Sequence, residues 1–182
     1  MLTSPLQLAV MTARLATGKA VTPHLLRATV SNGDVSLVAP EEPRPIRIAP
    51  DILRTVLEGM NAVTNSERGT AYKARIEEEG MEMAGKTGTA QVRRISKAER
   101  DTRVLKNHER PWRERDHALF VAYAPYDNPR YAVSVVVEHG GGGSAVAAPI
   151  ARDILHETLK RDPSGSGIAE SKPASKAAEK KA

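Results

Sequence analysis

An α+β domain, with antiparallel strands flanked by helices and ended by a disordered tail, is the fold class this sequence predicts. Three observations carry it. Residues 118–124 (ALFVAYA) and 131–138 (YAVSVVVE) are the strongest strand signals, and the short link Pro125-Tyr126-Asp127-Asn128-Pro129 makes them an antiparallel hairpin. Apolar residues recur at helical spacing near the start, the centre and the end of the chain. From about Asp162 onward the residues are mostly Ser, Gly, Pro, Ala and Lys, too poor in apolar bulk to pack. The expected organisation is one domain over residues 1–161 and a disordered tail over 162–182.

The elements follow in order. Ser4-Pro5-Leu6-Gln7 reads as a capping box with proline in the first turn, and Leu6, Ala9, Val10 and Ala13 continue at helical spacing to a stop at Gly18. Residues 24–38 read as a hairpin turned at Ser31-Asn32-Gly33-Asp34. A loop rich in Pro and Glu follows. A second helix is expected from about Asp51 to Asn65, with Ile52, Leu53, Val56, Leu57 and Met60 on one face and Asp51 in the first turn. Alternation predicts a strand from about 82 to 93. Arg94 to Asp116 reads as a long charged connection before the hairpin. After the run Gly140 to Gly143, a last helix is expected, capped by Ser144, with Ala147, Ile150, Ala151, Ile154, Leu155 and Leu159 on one side.

Composition narrows the class. The absence of cysteine excludes disulfides and thiolate metal sites. A net charge of +5 is concentrated in the tail and in residues 93–115. In that stretch Glu and Asp alternate with the cations, which points to a solvated loop rather than a nucleic-acid surface; stacking aromatics are lacking too. No run approaches the roughly 20 apolar residues of a membrane span, and the first residues lack the basic leader of a signal peptide. On that reading the chain alone would stay cytoplasmic.

Residues 80–92, GMEMAGKTGTAQV, hold two signatures. Gly80 to Thr87 matches the phosphate-loop pattern G-x-x-x-x-G-K-[ST]. Its flanks refuse that chemistry. A phosphate loop needs a buried strand before it and a helix after it. Here Glu77-Glu78-Glu79 precedes, and Gly88 with the strand-like Thr-Ala-Gln-Val follows. The other signature is Lys86-Thr87-Gly88 on a strand. A lysine ammonium there supplies positive potential beside a nucleophile and helps move its proton. The Thr87 hydroxyl can bind a substrate carboxylate, and Gly88 lets a substrate backbone lie against the strand. Thr89 can offer its N–H to a developing oxyanion and its hydroxyl to the same carboxylate.

The segments LTSPLQLAVMTARLATG, RGTAY, EMAGKTGTAQV, DHALFVAYAPYDNPRYAVSVVVEHGGGG and AAPIARDIL occur in one order over residues 2–160. On these the chain resembles the C-terminal half of the transpeptidase domain of class B penicillin-binding proteins. The resemblance implies part of a penicillin-binding and serine beta-lactamase-like fold, with three antiparallel strands of the main sheet and flanking helices. It implies a serine enzyme that cross-links peptidoglycan stem peptides through an acyl-enzyme, is mimicked by beta-lactams, and needs no cofactor or metal. Lys86 and Thr89 would be catalytic, and Thr87, Gly88 and Thr89 would bind substrate. The family is anchored in the inner membrane, faces the periplasm and works with a glycosyltransferase of cell elongation.

Two family motifs are absent. No serine is followed by lysine at the third position, and no Ser-x-Asn occurs. Thr70-Ala71-Tyr72-Lys73 imitates the first with a threonine, and Tyr126-Asp127-Asn128 imitates a variant of the second inside a turn. In the family both motifs lie upstream, so the chain is expected to be a fragment, inactive alone, whose partner is the missing N-terminal half. The alternative is a non-catalytic module that binds a cell-wall enzyme or that half. Other features have plainer readings: a structural His139, a mobile strand-to-helix turn at Gly140–Gly143, surface for Gln91, and a loop-packed Trp112. Asp116 and His117 are strand neighbours on opposite faces and make no pair.

Overall fold

The computed structural model of the chain describes residues 3–32, 34–38 and 41–162. Helix α1 (Pro5–Thr17) starts as its capping box requires. The Gln7 N–H donates to Ser4 Oγ at 3.2 Å, and the Ser4 N–H donates to Gln7 Oε1 at 2.8 Å. Gly18 ends it in the left-handed conformation. Strands β1 (Ala28–Ser31) and β2 (Asp34–Leu37) pair antiparallel as a separate ribbon, with Val30 opposite Val35. The turn has Asn32 at φ 51°; its Gly33 lies outside the described residues.

Helix α2 (Pro50–Asn65) carries its apolar stripe as expected, but only part of it is covered. Met60 is buried and Leu53 and Leu57 half-buried, whereas Ile52 and Val56 are exposed. The inward line continues through Thr64, a buried polar residue that hydropathy does not mark. Its hydroxyl donates to the Met83 carbonyl at 2.6 Å, and Asn65 Nδ2 donates to the same oxygen at 3.0 Å. These bonds use the carbonyl just before strand β3 (Ala84–Ala90), which is shorter than the 82–93 expected.

Strands β3, β4 (His117–Ala124) and β5 (Tyr131–Val137) form one antiparallel sheet in the order β3-β4-β5. Thr87 stands opposite Phe120, and Phe120 opposite Val135. Alternation along β4 sends residues to opposite faces. Ala118, Phe120, Ala122 and Ala124 belong to the larger core with Met83, Ala151, Leu155 and Leu159. Tyr123 and Ala84 pack on the other face with Met60, Leu15 and Leu57. Burial pushes the Tyr123 phenol above its ordinary range.

Two local expectations are corrected. The connection after β3 contains helix α3 (Lys97–Thr102), opened by a second capping box between Ser96 and Glu99. That Ser-x-x-Glu signal stood in the sequence, but the density of charge around it masked it. Ser144 does not cap the last helix. It lies inside a π-helical turn, Gly143–Ala147, and α4 (Ala148–Arg161) begins after it with proline in its first turn and no side-chain cap. Of the expected stripe on α4, Ala147, Ala151, Leu155 and Leu159 are buried, and Ile150 and Ile154 are exposed. The predicted tail, beyond residue 162, lies outside the described residues. Among the described residues no helix is long and apolar enough to cross a membrane.

Among the described residues no strand pairs with the outer edge of β5. An open, Val-rich edge is a template for another chain. The isolated chain is therefore expected to self-associate with rising concentration, and Val136→Lys, at an exposed edge position, to reduce it. Light scattering across a concentration series checks both; a concentration-independent monomer of the unsubstituted chain would contradict the expectation.

Candidate functional site

Lys86, Thr87, Gly88 and Thr89 lie consecutively on β3, opposite Val121, Phe120, Leu119 and Ala118 of β4. The phosphate-loop alternative is excluded by this geometry. Lys86 and Thr87 are in mid-strand, and the next helix starts only at Lys97. Strand β3 pairs on one side with β4; no strand borders its other side among the described residues. Lys86 is exposed and donates from Nζ to the Thr87 carbonyl at 2.9 Å. Among the described residues it has no acidic partner, so its positive charge is available to a ligand. Thr89 is exposed, and Gln91 just past the strand is surface, as expected.

Thr87 is half-buried, and its hydroxyl forms a hydrogen bond with that of Thr70 at 3.3 Å. Sequence reasoning met Thr70 only as an imitation of a nucleophile motif and missed this contact. The residue before it explains the placement. A Cβ on Gly69 would lie 2.3 Å from the Ala62 carbonyl oxygen and 2.4 Å from that of Val63. Only glycine lets the chain fold back onto the last turn of α2, where the Ala71 N–H donates to the Val63 carbonyl at 2.9 Å. The fold-back delivers Thr70 to Thr87. The clue was local: a glycine and a threonine just past a helix end.

The glycine run after β5 is a packed turn rather than a mobile one. Gly141 and Gly143 are buried. The Gly141 N–H donates to the Asp116 carbonyl at 2.8 Å. A Cβ on Gly143 would meet Leu119 O at 2.3 Å and Gly88 O at 2.4 Å. This turn thus rests directly on the backbone of the candidate site, and it holds Gly88 from behind.

Strand β3 leads into a basic connection whose acids are mostly engaged. Arg93 binds Glu99 through two bonds, at 2.7 and 3.0 Å, and reaches Glu114 at 3.9 Å. The Arg93 guanidinium and the Ser96 N–H hold the Glu99 carboxyl down at about 2. Arg103 pairs with Glu109. Arg110 and Asp116 form a buried pair at 3.3 Å, and the Asp116 N–H donates to Asn107 Oδ1 at 2.9 Å. His117 does not pair with Asp116. Its Nδ1 accepts the His139 N–H at 2.8 Å, while His139 Nδ1 bonds the Arg115 carbonyl at 2.9 Å. His139 is thus structural, as expected. Trp112 stacks edge-on against it at 4.4 Å between ring centroids but stays largely exposed. Among the described residues no group of His, Asp or Glu is arranged to hold a metal ion.

Among the described residues the site offers a cation without an acidic partner and a glycine on an accessible strand, with the Thr87 hydroxyl joined to that of Thr70 beside it, a receptor suited to a carboxylate and a peptide backbone. Residues 1–156 match the transpeptidase domain of penicillin binding proteins. The peptidoglycan D,D-transpeptidase MrdA of Haemophilus influenzae is 39% identical over 167 residues, which cover 87% of this chain and 24% of that protein. MrdA of Escherichia coli strain K12 is 37% identical over 141 residues, 77% of this chain and 21% of that protein. The structure of Pseudomonas aeruginosa PBP2 in complex with WCK 5153 superposes with a TM-score of 0.66 at 32% identity, covering 94% of this chain and 34% of that one. The Helicobacter pylori PBP2 complex with MreC gives a TM-score of 0.65 at 27% identity, covering 87% and 25%. The chain spans about a quarter of the length of these curated relatives.

Because Glu99 is held below the ordinary carboxylate value of 4.5, its pairing supports the connection above that pH and is lost as pH falls toward about 2. Amide protection of α3 is therefore expected to be flat above pH 5 (roughly) and to decline below it. Glu99→Gln should remove the pH dependence; hydrogen exchange across a pH series measures it.

Proposed function

The chain belongs to the penicillin-binding protein transpeptidase family, and from that premise we propose that it supplies the Lys-Thr-Gly wall of a peptidoglycan D,D-transpeptidase site. The observation that carries this is the strand Lys86 to Thr89, which among the described residues is open on one side, with an ammonium that has no acidic partner there and a Thr87 hydroxyl bonded to that of Thr70.

The chemistry such a wall serves is acyl transfer. A serine Oγ attacks the carbonyl carbon of the penultimate D-Ala of a stem peptide and loses its proton to a base. The tetrahedral oxyanion collapses, the C–N bond breaks, and the terminal D-Ala leaves with a proton on its nitrogen. An amine of a neighbouring strand then attacks the ester, an amide forms, and the serine recovers its proton. In this scheme Lys86 holds positive potential beside the serine, Thr87 and Thr89 hold the terminal carboxylate, and the Thr89 N–H faces the oxyanion. Gly88 leaves room for the substrate backbone.

No Ser-x-x-Lys occurs in the 182 residues, so the nucleophile must come from elsewhere. An active-site lysine without its serine forms no acyl-enzyme. We assign the chain a half-site role, completed by a segment that carries the serine. The complete protein would act in the periplasm, tethered to the membrane by other parts, on stem peptides and beta-lactams. A protein partner fits as well, since the Helicobacter pylori relative was solved in complex with MreC.

The purified chain is expected to give no covalent label with a fluorescent penicillin, and labelling should appear when the serine-bearing half is added in trans. Stoichiometric labelling of the chain alone would refute the half-site role; soluble binding of the added half without labelling would favour a non-catalytic module. In the reconstituted pair Lys86→Ala should slow labelling by about 10²–10⁴-fold, the usual range for a positioned proton-transfer group. Thr70→Val should act more mildly, by roughly tenfold, one hydrogen bond to a polar group.

A further inference from the structure

The charge of the β3–β4 connection is not spread evenly. Four of its five acids, Glu99, Glu109, Glu114 and Asp116, are used in ion pairs that shape the segment. Arg93, which holds Glu99, fixes the start of α3 and so the residues on either side of it. Six cations of the segment form no ion pair among the described residues: Arg94, Lys97, Arg100, Lys106, Arg113 and Arg115; three of them converge. Arg94, Lys97 and Arg100 are exposed, form no ion pair among the described residues, and line one cavity of about 430 Å³ together with Ile95 and Ser96. Among the described residues of the connection, Asp101, next to Arg100 in the chain, is the one acid in no ion pair. Like charges converging on one concavity repel each other, a cost that an anionic ligand removes.

Position selects the ligand class. Arg94 is five residues beyond Thr89, so the extended chain places it within about 18 Å of the site. A peptide whose C-terminal carboxylate rests on Thr87 and Thr89 extends over that distance in a handful of residues. We propose that Arg94, Lys97 and Arg100 form an anionic subsite that recognises carboxylates carried by a peptide upstream of the C-terminus bound at β3. The choice of a peptide rests on the half-site reading above; the anion preference rests on the cavity. Ile95 gives the pocket one apolar wall, suited to the carbon stem of an acidic residue.

The test uses the full chain, immobilised at low density on a sensor surface. The probes are two acetylated pentapeptides ending in D-Ala-D-Ala, identical except that two upstream carboxylates are free in one and amidated in the other. The free acid is expected to bind about tenfold more tightly at low salt, and about 0.5 M salt should erase most of that preference. Arg94→Gln/Lys97→Gln/Arg100→Gln should abolish the preference and leave the amidated peptide unchanged. Arg113→Gln, which removes the same kind of charge from an exposed residue in no ion pair among the described residues and outside the cavity, should leave the preference intact and serves as the folding control. A preference that survives the triple variant overturns the proposal. So does retention by vesicles of anionic phospholipid that needs the three cations, with no difference between the two peptides. Lys86→Ala should weaken both peptides equally. If it changes neither while the three cations still set the ratio, the reading of β3 fails and the anionic subsite stands.

Discussion

Strand β4 is the element on which everything else leans. It alone in the main sheet has both edges paired, to β3 and to β5. Its even-numbered residues enter the core under α4, and Tyr123 enters the core under α1 and α2. The register fixed by this strand decides what stands beside the candidate site. A shift of one residue would exchange the two faces and place Phe120 where solvent and Val121 are now. The position of Lys86 follows from burial elsewhere along the ladder.

Polar contacts then refine what burial sets up. Thr64 and Asn65 bind the Met83 carbonyl, which joins the end of α2 to the start of β3. Gly69 turns the chain back onto α2 and brings Thr70 to Thr87. On the far side Gly143 presses against Gly88 and Leu119, and Gly141 bonds Asp116. The site strand is thus held at its start, at its middle and from behind, while Lys86 and Thr89 stay exposed. A preorganised receptor needs such rigidity in its supports more than in its own side chains.

The connection after β3 works by a different balance. Its fold rests on ion pairs and capping rather than on a core: no residue of α3 is buried. Exposed pairs of this kind add little stability each, and they act here as a set that fixes shape. Using the acids for shape leaves Arg94, Lys97 and Arg100 uncompensated, so the same economy that folds the segment also charges its cavity.

The sequence by itself determined the helices with sharp start and stop signals, the β4–β5 hairpin, and the membership of Lys86, Thr87, Gly88 and Thr89 in one strand. These follow from local chemistry: capping boxes, side-chain alternation and turn residues act within a few positions. Glycines named in the sequence as turns or spacers were legible as glycines, yet their neighbours were not. That Gly143 would rest on Gly88, that Gly69 would carry Thr70 to Thr87, and that Thr64 would face inward depended on segments far apart in the chain. Tertiary packing also split the apolar stripes of α2 and α4, burying Met60 and Leu155 and exposing Ile52 and Ile154. The physical reason is that periodicity specifies which side of a helix is apolar, whereas the width actually covered depends on what the fold lays against it.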